Sequence, residues 1–215
     1  MKRSVTVVPA ILTDSVTDLS RMTDLANQFA PFVQVDLMDG QFVPTRSVEV
    51  ESLAAVQIDF SWEAHLMVCD PVRYLEPLKD VGAARVIFHI ESDDRPATVI
   101  DRCRNLGLGV GVAVNPPTPV SSIRSLLPAI DAVLLMAVYP GYYGAPFVPE
   151  VMSKIGEVRT ARPDIEIGMD GGIKESNLLE VARHGLDVVC VGSAIFGEAD
   201  PGACYERLVE LARHV

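Results

Sequence analysis

Short apolar segments rich in branched side chains alternate along the chain with longer amphipathic segments. Eight of the apolar segments have the length and composition of β-strands, and Gly, Pro, Asp or Asn lies at their ends. They span residues 5–12, 32–38, 61–68, 85–90, 109–114, 132–138, 165–170 and 188–191. Eight strand–helix units in 215 residues amount to about 27 residues each, which predicts a compact α/β fold, the (β/α)8 TIM barrel.

The segments between these strands carry the signals of helices. Apolar residues lie on one helix face in two of them, at Val99, Ile100, Cys103 and Leu106 and again at Val151, Ile155 and Val158. Helix starts are indicated at Asp14 with Thr17, Asp70-Pro71, Thr118-Pro119 and Asp200-Pro201, and helix ends at Gly82, Gly107 and Gly185. A doubly wound open sheet is the alternative, but it usually has fewer strands and a G-x-G-x-x-G turn after the first strand, which this sequence lacks.

Composition narrows the classes of function. The chain is 49% hydrophobic, too apolar for a disordered protein, and its length fits one globular domain, residues 1–215. The net charge of −11, with no basic run, argues against a nucleic-acid partner or an anionic membrane surface. The first apolar segment is too short for a signal peptide or a membrane span, so we expect a cytoplasmic protein.

The cysteines form no C-x-x-C pair, and we expect reduced, mostly buried thiols at Cys69, Cys103, Cys190 and Cys204.

The carboxyl ends of the strands are where such a barrel carries its reactive residues. Because successive side chains of a strand point to opposite faces, the second strand sends Gln34, Asp36 and Met38 into the barrel interior. The same alternation sends His65 inward from the third strand and Asp170 inward from the seventh. Three ionisable side chains are therefore predicted to converge at one mouth of the barrel.

Each of these three residues also has an ordinary structural interpretation. An Asp at a strand end often caps the following helix, and a lone buried His is usually a satisfied core residue. Two carboxylates and an imidazole inside one apolar interior would, however, carry a large desolvation cost if they had no partner. A divalent metal bound by Asp36, His65 and Asp170 offsets that cost, and Gln34 can add a neutral oxygen.

Three glycine-containing turns follow the later strands, at residues 140–144, 170–173 and 191–196. In barrels of this kind the loops after the last two strands often bind phosphate through backbone N–H groups, and glycine lets the backbone approach. Ordinary turn chemistry explains any one of these glycines. Three such loops on one rim favour a phosphate ligand.

Several strings of residues occur together in a specific order. They are PAIL at 9–12, VDLMDGQFVP at 35–44, HLMV at 65–68, the pair His89 and Glu91, NP at 115–116, PG at 140–141, MDGGI at 169–173 and GSAIF at 192–196. With these strings the chain resembles the ribulose-phosphate 3-epimerase family over nearly its whole length. The resemblance implies a proton transfer at C3 of a ketose phosphate, in which one Asp removes the proton and a second Asp returns it on the opposite face. Asp36 and Asp170 match that acid/base pair, and both match metal ligands together with His65.

The resemblance also implies a substrate-binding set, a divalent metal and assembly into a homo-oligomer. The sequence leaves the identity of this metal open among Zn, Fe, Mn and Mg. The methionines of the substrate-binding set have an alternative role as ordinary barrel filling. The full set comprises Ala10, Met38, His65, Met67, Met136, Gly141, Tyr142, Tyr143, Gly144, Gly171, Gly172, Gly192 and Ser193.

The chain departs from the family pattern at Gln34, Ala10, Tyr143, Gly168 and Thr45, the last of which stands where an Asn is expected. Gln34 stands where a second His ligand is usual, and an amide oxygen binds a transition metal more weakly than an imidazole does. Ala10 replaces a Ser of the first strand, and Tyr143 replaces a Gly of the phosphate loop. Gly168 stands where a polar side chain usually lies beneath the second catalytic Asp.

Three hypotheses of function follow. The first is a metal-assisted 3-epimerase of a ketose phosphate, with conversion of D-ribulose 5-phosphate to D-xylulose 5-phosphate as the default. The second, supported by Gln34, is a non-catalytic or altered-specificity sugar-phosphate-binding barrel that has lost part of its metal site. The third is another phosphate-binding barrel, a decarboxylase or aldolase. It ranks last because such enzymes use a Lys beside a strand-end Asp, and no Lys lies at the mouth of strands two or three.

Overall fold

Eight parallel strands form a closed barrel in which each strand pairs with its neighbours in chain order and β1 pairs with β8. The computed structural model describes residues 5–141 and 145–213. The strands are β1 Thr6–Ile11, β2 Phe32–Met38, β3 Ser61–Met67, β4 Arg85–His89, β5 Gly109–Val114, β6 Ala132–Met136, β7 Glu166–Asp170 and β8 Val188–Val191. The predicted TIM barrel is confirmed, and predicted and observed strand ends differ by at most two residues.

Helices cover the outside of most of the barrel. They are α1 Val16–Ala26, α2 Leu75–Asp80, α3 Pro96–Asn105, α4 Met152–Ala161, α5 Leu178–Ala182, α6 Ser193–Phe196 and α7 Pro201–Arg213. Short 3-10 helices supplement them at Val50–Ala55, Pro71–Tyr74, Val120–Ile123, Leu127–Ala129 and Pro149–Val151.

The prediction of a regular helix after Thr118-Pro119 is wrong. The connection between β5 and β6 contains only 3-10 turns, at Val120–Ile123 and Leu127–Ala129. Pro128 lies inside this connection, where it removes a backbone donor and disfavours the helical conformation of Leu127, so an α-helix that starts after Pro119 cannot continue through it. The connection between β2 and β3 likewise holds a 3-10 helix, Val50–Ala55.

The ends of the helices follow the sequence signals with one shift. The first helix is capped by Ser15, whose hydroxyl accepts a hydrogen bond from the backbone N–H of Asp18, rather than by the neighbouring residues Asp14 or Thr17. The predicted C-terminal glycines all have the positive φ that favours glycine, and they are Gly82, Gly107 and Gly185.

Alternation along the strands divides the apolar residues between two layers. Val33, Val35 and Leu37 of β2 pack outward in the large core between the barrel and its helices. A second cluster fills the barrel interior, with Val8, Ala10, Ile87, Ala113, Leu134, Met136, Val188 and Cys190. The inward positions of β2 and β3 carry the polar residues Gln34, Asp36, Glu63 and His65, as the period of two requires.

An ion-pair network lies at the amino-terminal end of the barrel, in which Glu63 is buried while Arg85 and Glu166 are partly exposed. Arg85, at the start of β4, bonds through Nε to Glu63 Oε2 at 2.5 Å and through a terminal nitrogen to Glu166 Oε1 at 2.7 Å. Burial raises the pKa of the Glu63 carboxyl, and the adjacent Arg85 guanidinium acts in the opposite direction.

The four cysteines are free thiols, and Cys103, Cys190 and Cys204 are buried, as expected from the sequence. Within residues 5–141 and 145–213, no helix combines the length and apolar character that a membrane span requires.

Candidate active site

Three ionisable side chains from distant parts of the chain meet at the carboxyl end of the barrel. Asp36 of β2 and His65 of β3 are partners in the parallel register of the two strands, and Asp170 is the last residue of β7. All three are buried, and one potential ligand atom from each lies within 4.8 Å of the others. The side chains that alternation predicts to converge are therefore found together.

His65 bonds to both carboxylates through one ring nitrogen. Its Nδ1 lies 2.9 Å from Asp36 Oδ1 and 3.4 Å from Asp170 Oδ2. Burial alone would lower the pKa of His65, but the hydrogen bonds and charges of Asp170 and Asp36 raise it to about 10. Burial also raises the pKa of Asp36, against the opposing effect of His65. In the absence of metal, His65 is thus an imidazolium that balances part of the negative charge.

Gln34 lies one pleat below Asp36 on β2 and is completely buried. Its Nε2 donates hydrogen bonds to Asp36 Oδ1 at 2.8 Å and to Asp170 Oδ2 at 2.9 Å. Its Oε1 accepts a hydrogen bond from the Cys190 thiol, with the sulfur at 3.1 Å. Burial raises the pKa of Cys190 well above its usual value, so the thiol keeps the proton that it donates. The amide nitrogen of Gln34, and not its oxygen, faces the two carboxylates.

The donor set fits a divalent metal. Two carboxylates and an imidazole are common ligands of zinc, iron and manganese, and three protein ligands leave coordination positions open for a substrate, as in catalytic sites. The ligand atoms of Asp36, His65 and Asp170 are close enough to bind one ion together.

The second nitrogen of His65 is held by two further residues. His65 Nε2 lies 2.9 Å from Nε2 of His89, and His89 Nδ1 lies 3.2 Å from Glu91 Oε2. Burial lowers the pKa of His89 to about 4, so its ring is neutral at pH 7 and has a single N–H. The pKa of Glu91 is lowered despite its burial, because hydrogen bonds from His89, Thr118 and the Asn115 N–H favour the carboxylate.

These protonation states fix the tautomer of His65. Ionised Glu91 accepts the proton of His89 at Nδ1, which leaves His89 Nε2 as an acceptor. The His65 imidazolium therefore donates its Nε2 proton to His89, and when the ring loses its other proton, Nδ1 is the nitrogen left to bind a metal. In the sequence, only the family resemblance marks His89 and Glu91, and their role beside His65 was not predicted. The alternation of β4, which places His89 inward two residues after Ile87, was the signal for this role.

A cleft opens above the two carboxylates. Asp36 and Asp170 lie on its floor, and seven of the predicted substrate-binding residues line it, namely Met67, Met136, Gly141, Gly171, Gly172, Gly192 and Ser193. Lys174 also lines the cleft, directly after the Gly171–Ile173 turn, and sequence reasoning missed it. Gly171 has φ +101°, and a Cβ there would lie 2.4 Å from Val138, so only glycine fits this turn.

Two further predicted substrate-binding residues, Ala10 and Met38, have other surroundings. Ala10 lies inside the barrel opposite Gln34 in the strand register, with its carbonyl beside Gly192. Met38 packs with Met67 and Val43 in a small apolar cluster at the mouth. Three predicted phosphate-loop residues, Tyr142, Tyr143 and Gly144, lie outside the described residues.

The chain matches the model of the ribulose-phosphate 3 epimerase family over residues 6–196, which include all eight strands. The chain belongs to this family. Membership confirms the resemblance inferred from the sequence, and it confirms the predicted enzyme class, an isomerase that epimerises carbohydrates.

Individual members of the family align with nearly the whole of this chain. A ribulose-phosphate 3-epimerase of Mycobacterium leprae is 37% identical over 214 residues, which cover 94% of this chain and 92% of the relative. The cytoplasmic isoform of Oryza sativa is 34% identical over 209 residues, with 94% and 92% covered. Among solved structures, 3-hexulose-6-phosphate synthase from Salmonella typhimurium superposes with a TM-score of 0.73 over 97% of this chain and 98% of its own. Its 18% identity supports the shared fold alone.

Proposed function

We propose that this protein is a metal-assisted 3-epimerase of a ketose phosphate, with D-ribulose 5-phosphate and D-xylulose 5-phosphate as its pair of epimers. The observation that carries the proposal is the convergence of two carboxylates and one imidazole on the floor of a cleft rimmed by glycine turns. Relatives that are named ribulose-phosphate 3-epimerases and align over 94% of the chain support the choice of substrate.

The two carboxylates supply the two bases that inversion requires. Asp36 and Asp170 come from β2 and β7, so they approach a substrate in the cleft from different sides of the barrel. One removes the proton at C3, and the other returns a proton to the opposite face. A carboxyl with a raised pKa, such as Asp36, suits this exchange because it holds and releases a proton closer to neutral pH. A divalent metal held by Asp36, His65 and Asp170 would stabilise the negative charge that develops on the substrate oxygens.

The glycine turns and Lys174 are proposed to bind the substrate phosphate. The first N–H groups of α6 and the turn at Gly171 and Gly172 border the same cleft as the carboxylates. Lys174 adds the positive charge that an otherwise acidic chain needs at this position. Lys174→Ala is expected to raise KM roughly tenfold with little change in kcat, since a charge-assisted hydrogen bond is lost. Lys79→Ala, in α2, is the matched control, and equal effects of the two changes would contradict the assignment.

The decisive experiment follows hydrogen exchange at C3. The metal-supplemented protein is incubated with D-ribulose 5-phosphate in D2O, and deuterium at C3 and formation of the epimer are measured together. The wild type is expected to give both. Asp36→Asn and Asp170→Asn are each expected to abolish epimer formation while the remaining carboxylate still exchanges the C3 hydrogen of one epimer. Absence of exchange by the wild type with either epimer would refute the proposal.

The alternative is a sugar-phosphate-binding barrel without catalysis. Its support is the amide nitrogen of Gln34, which lies against both carboxylates where a cation is expected. The same experiment separates the two functions, because a binding protein retains affinity for the ketose phosphate but incorporates no deuterium.

A further inference from the structure

The amide nitrogen of Gln34 occupies one corner of a four-atom cage. It lies 2.8 Å from Asp36 Oδ1, 2.9 Å from Asp170 Oδ2 and 3.5 Å from His65 Nδ1. His65 Nδ1 is itself 2.9 Å from Asp36 Oδ1 and 3.4 Å from Asp170 Oδ2. Ligand atoms about 2.0–2.2 Å from a tetrahedral ion lie about 3.3–3.6 Å from one another. The four atoms therefore have nearly the spacing of a metal's coordination shell, slightly contracted around hydrogen bonds.

An amide nitrogen is a donor and has no lone pair to give to a cation. Its two hydrogens point at the carboxylate oxygens that are closest to His65, and those oxygens are the ones a metal would use. Turning the amide over would place Oε1 against two carboxylates and would break the hydrogen bond from Cys190. The thiol on β8 therefore fixes the orientation in which Gln34 acts as a donor.

From this arrangement we infer that Gln34 competes with the metal. Its amide holds Asp36 and Asp170 together in the metal-free protein, and a divalent ion bound by Asp36, His65 and Asp170 must displace at least one of its hydrogen bonds. Gln34 is thus a positioning residue that lowers metal affinity and keeps the acid/base pair assembled when the metal leaves. This inference rests on the metal site of the proposed function, but its test does not require catalysis.

If Gln34 competes with the metal, removing its amide should raise metal affinity. If Gln34 is a metal ligand, the same change should lower metal affinity. Met has nearly the length of Gln and no hydrogen-bond donor, so Gln34→Met removes the competing bonds at little cost in volume. We expect Gln34→Met to bind Mn²⁺ and Zn²⁺ roughly tenfold more tightly than the wild type, since two charge-assisted bonds no longer oppose the ion. If Gln34 instead supplied a metal-binding oxygen, the same change would weaken binding.

The test measures metal affinity by competition with a fluorescent chelator, together with urea unfolding in EDTA and in saturating metal. Gln34→Met is expected to be less stable than the wild type in EDTA and to regain that loss with Mn²⁺. Gln28→Met, at an exposed position of the chain, is the matched control and should change neither quantity. Weaker or unchanged metal affinity in Gln34→Met would overturn the inference.

A second measurement needs no variant. In protein labelled with ¹⁵N-glutamine, the Gln34 side-chain NH2 signals are expected to shift when diamagnetic Zn²⁺ is added, and unchanged signals at saturating Zn²⁺ would overturn the inference. The proposed function fails separately, through absence of deuterium exchange at C3, so either result stands without the other.

Discussion

The hydrogen bond between His65 and His89 offers a direct test of how the site is prepared for metal. His89 is fully buried, and its ring also lies 4.8 Å from that of Phe42, centroid to centroid. His89→Phe keeps an aromatic ring in this space but removes the acceptor of the His65 Nε2–H. Glu91 is partly exposed and keeps its hydrogen bond from the Asn115 N–H, so the change acts mainly on His65.

Two arguments give the size of the effect. The Nε2–H of His65 is left buried without an acceptor, which costs about 1–3 kcal/mol. That cost falls on the tautomer whose Nδ1 binds the metal. Loss of a residue that orients a metal ligand lowers affinity about 10–100-fold, equivalent to roughly 1.4–2.7 kcal/mol. The two ranges agree, and we expect Zn²⁺ affinity to fall by one to two orders of magnitude.

The assay is competition of the purified protein with a chelating dye for Zn²⁺ at neutral pH. His184→Phe, at an exposed position in the chain, is the control for loss of a histidine and should leave the affinity unchanged. Glu91→Gln keeps an acceptor oxygen for His89 but removes its charge, and it should show a smaller loss than His89→Phe. An affinity of His89→Phe within twofold of the wild type would refute the tautomer argument.

Three further predictions concern stability. Arg85→Met leaves the buried Glu63 carboxylate without a counter-charge, so we expect urea titrations to show that the free energy of unfolding falls by about 3–5 kcal/mol. Adding Glu63→Gln should restore part of this loss, and no restoration at all would contradict the pairing. Gly171→Ala places a side chain at a φ of +101° and against Val138, so it should lower the free energy of unfolding by about 2–4 kcal/mol. It should also lower kcat, and a variant with unchanged stability and kcat would show that the turn relaxes freely. In EDTA, stability should be greatest below the ordinary pKa of 6.5 and decline towards pH 10, because folded His65 holds its proton with a pKa of about 10. Saturating Zn²⁺ should remove that decline by displacing the proton, and a decline of equal size with Zn²⁺ would argue against His65 as a ligand.

The sequence was sufficient to predict the strands and the side chains that point inward from them. Strand alternation has a strict period of two, so the inward positions of Gln34, Asp36 and His65 follow once the strands are identified. Closure of the barrel then brings Asp170 to the same mouth. Both steps depend on pattern and topology, which a single sequence contains.

The orientation of the Gln34 amide could not be predicted in this way. It depends on Cys190, which is 156 residues away in the chain, and on the relative positions of two carboxylates to within a few tenths of an ångström. Lys174 was missed for a related reason, because an exposed Lys after a glycine turn has no sequence signal that separates a cleft residue from a solvated one. The regular helix predicted after Pro119 does not form, because the start signal at Thr118-Pro119 does not reveal how short the helical segment before Pro128 is.

The sequence separation of the three proposed metal ligands determines when during folding a metal can bind tightly. Asp36 and His65 are brought together by the pairing of neighbouring strands and are only 29 residues apart. Asp170 and Gln34 are 136 residues apart, and they meet only when the sheet has curved around and β1 has joined β8. Contacts of such long range form late, since the loop-closure entropy must be overcome first. The complete three-ligand site therefore forms only after the barrel has closed, and metal binding cannot nucleate that closure. Tight metal binding during refolding should coincide with the final cooperative step of folding.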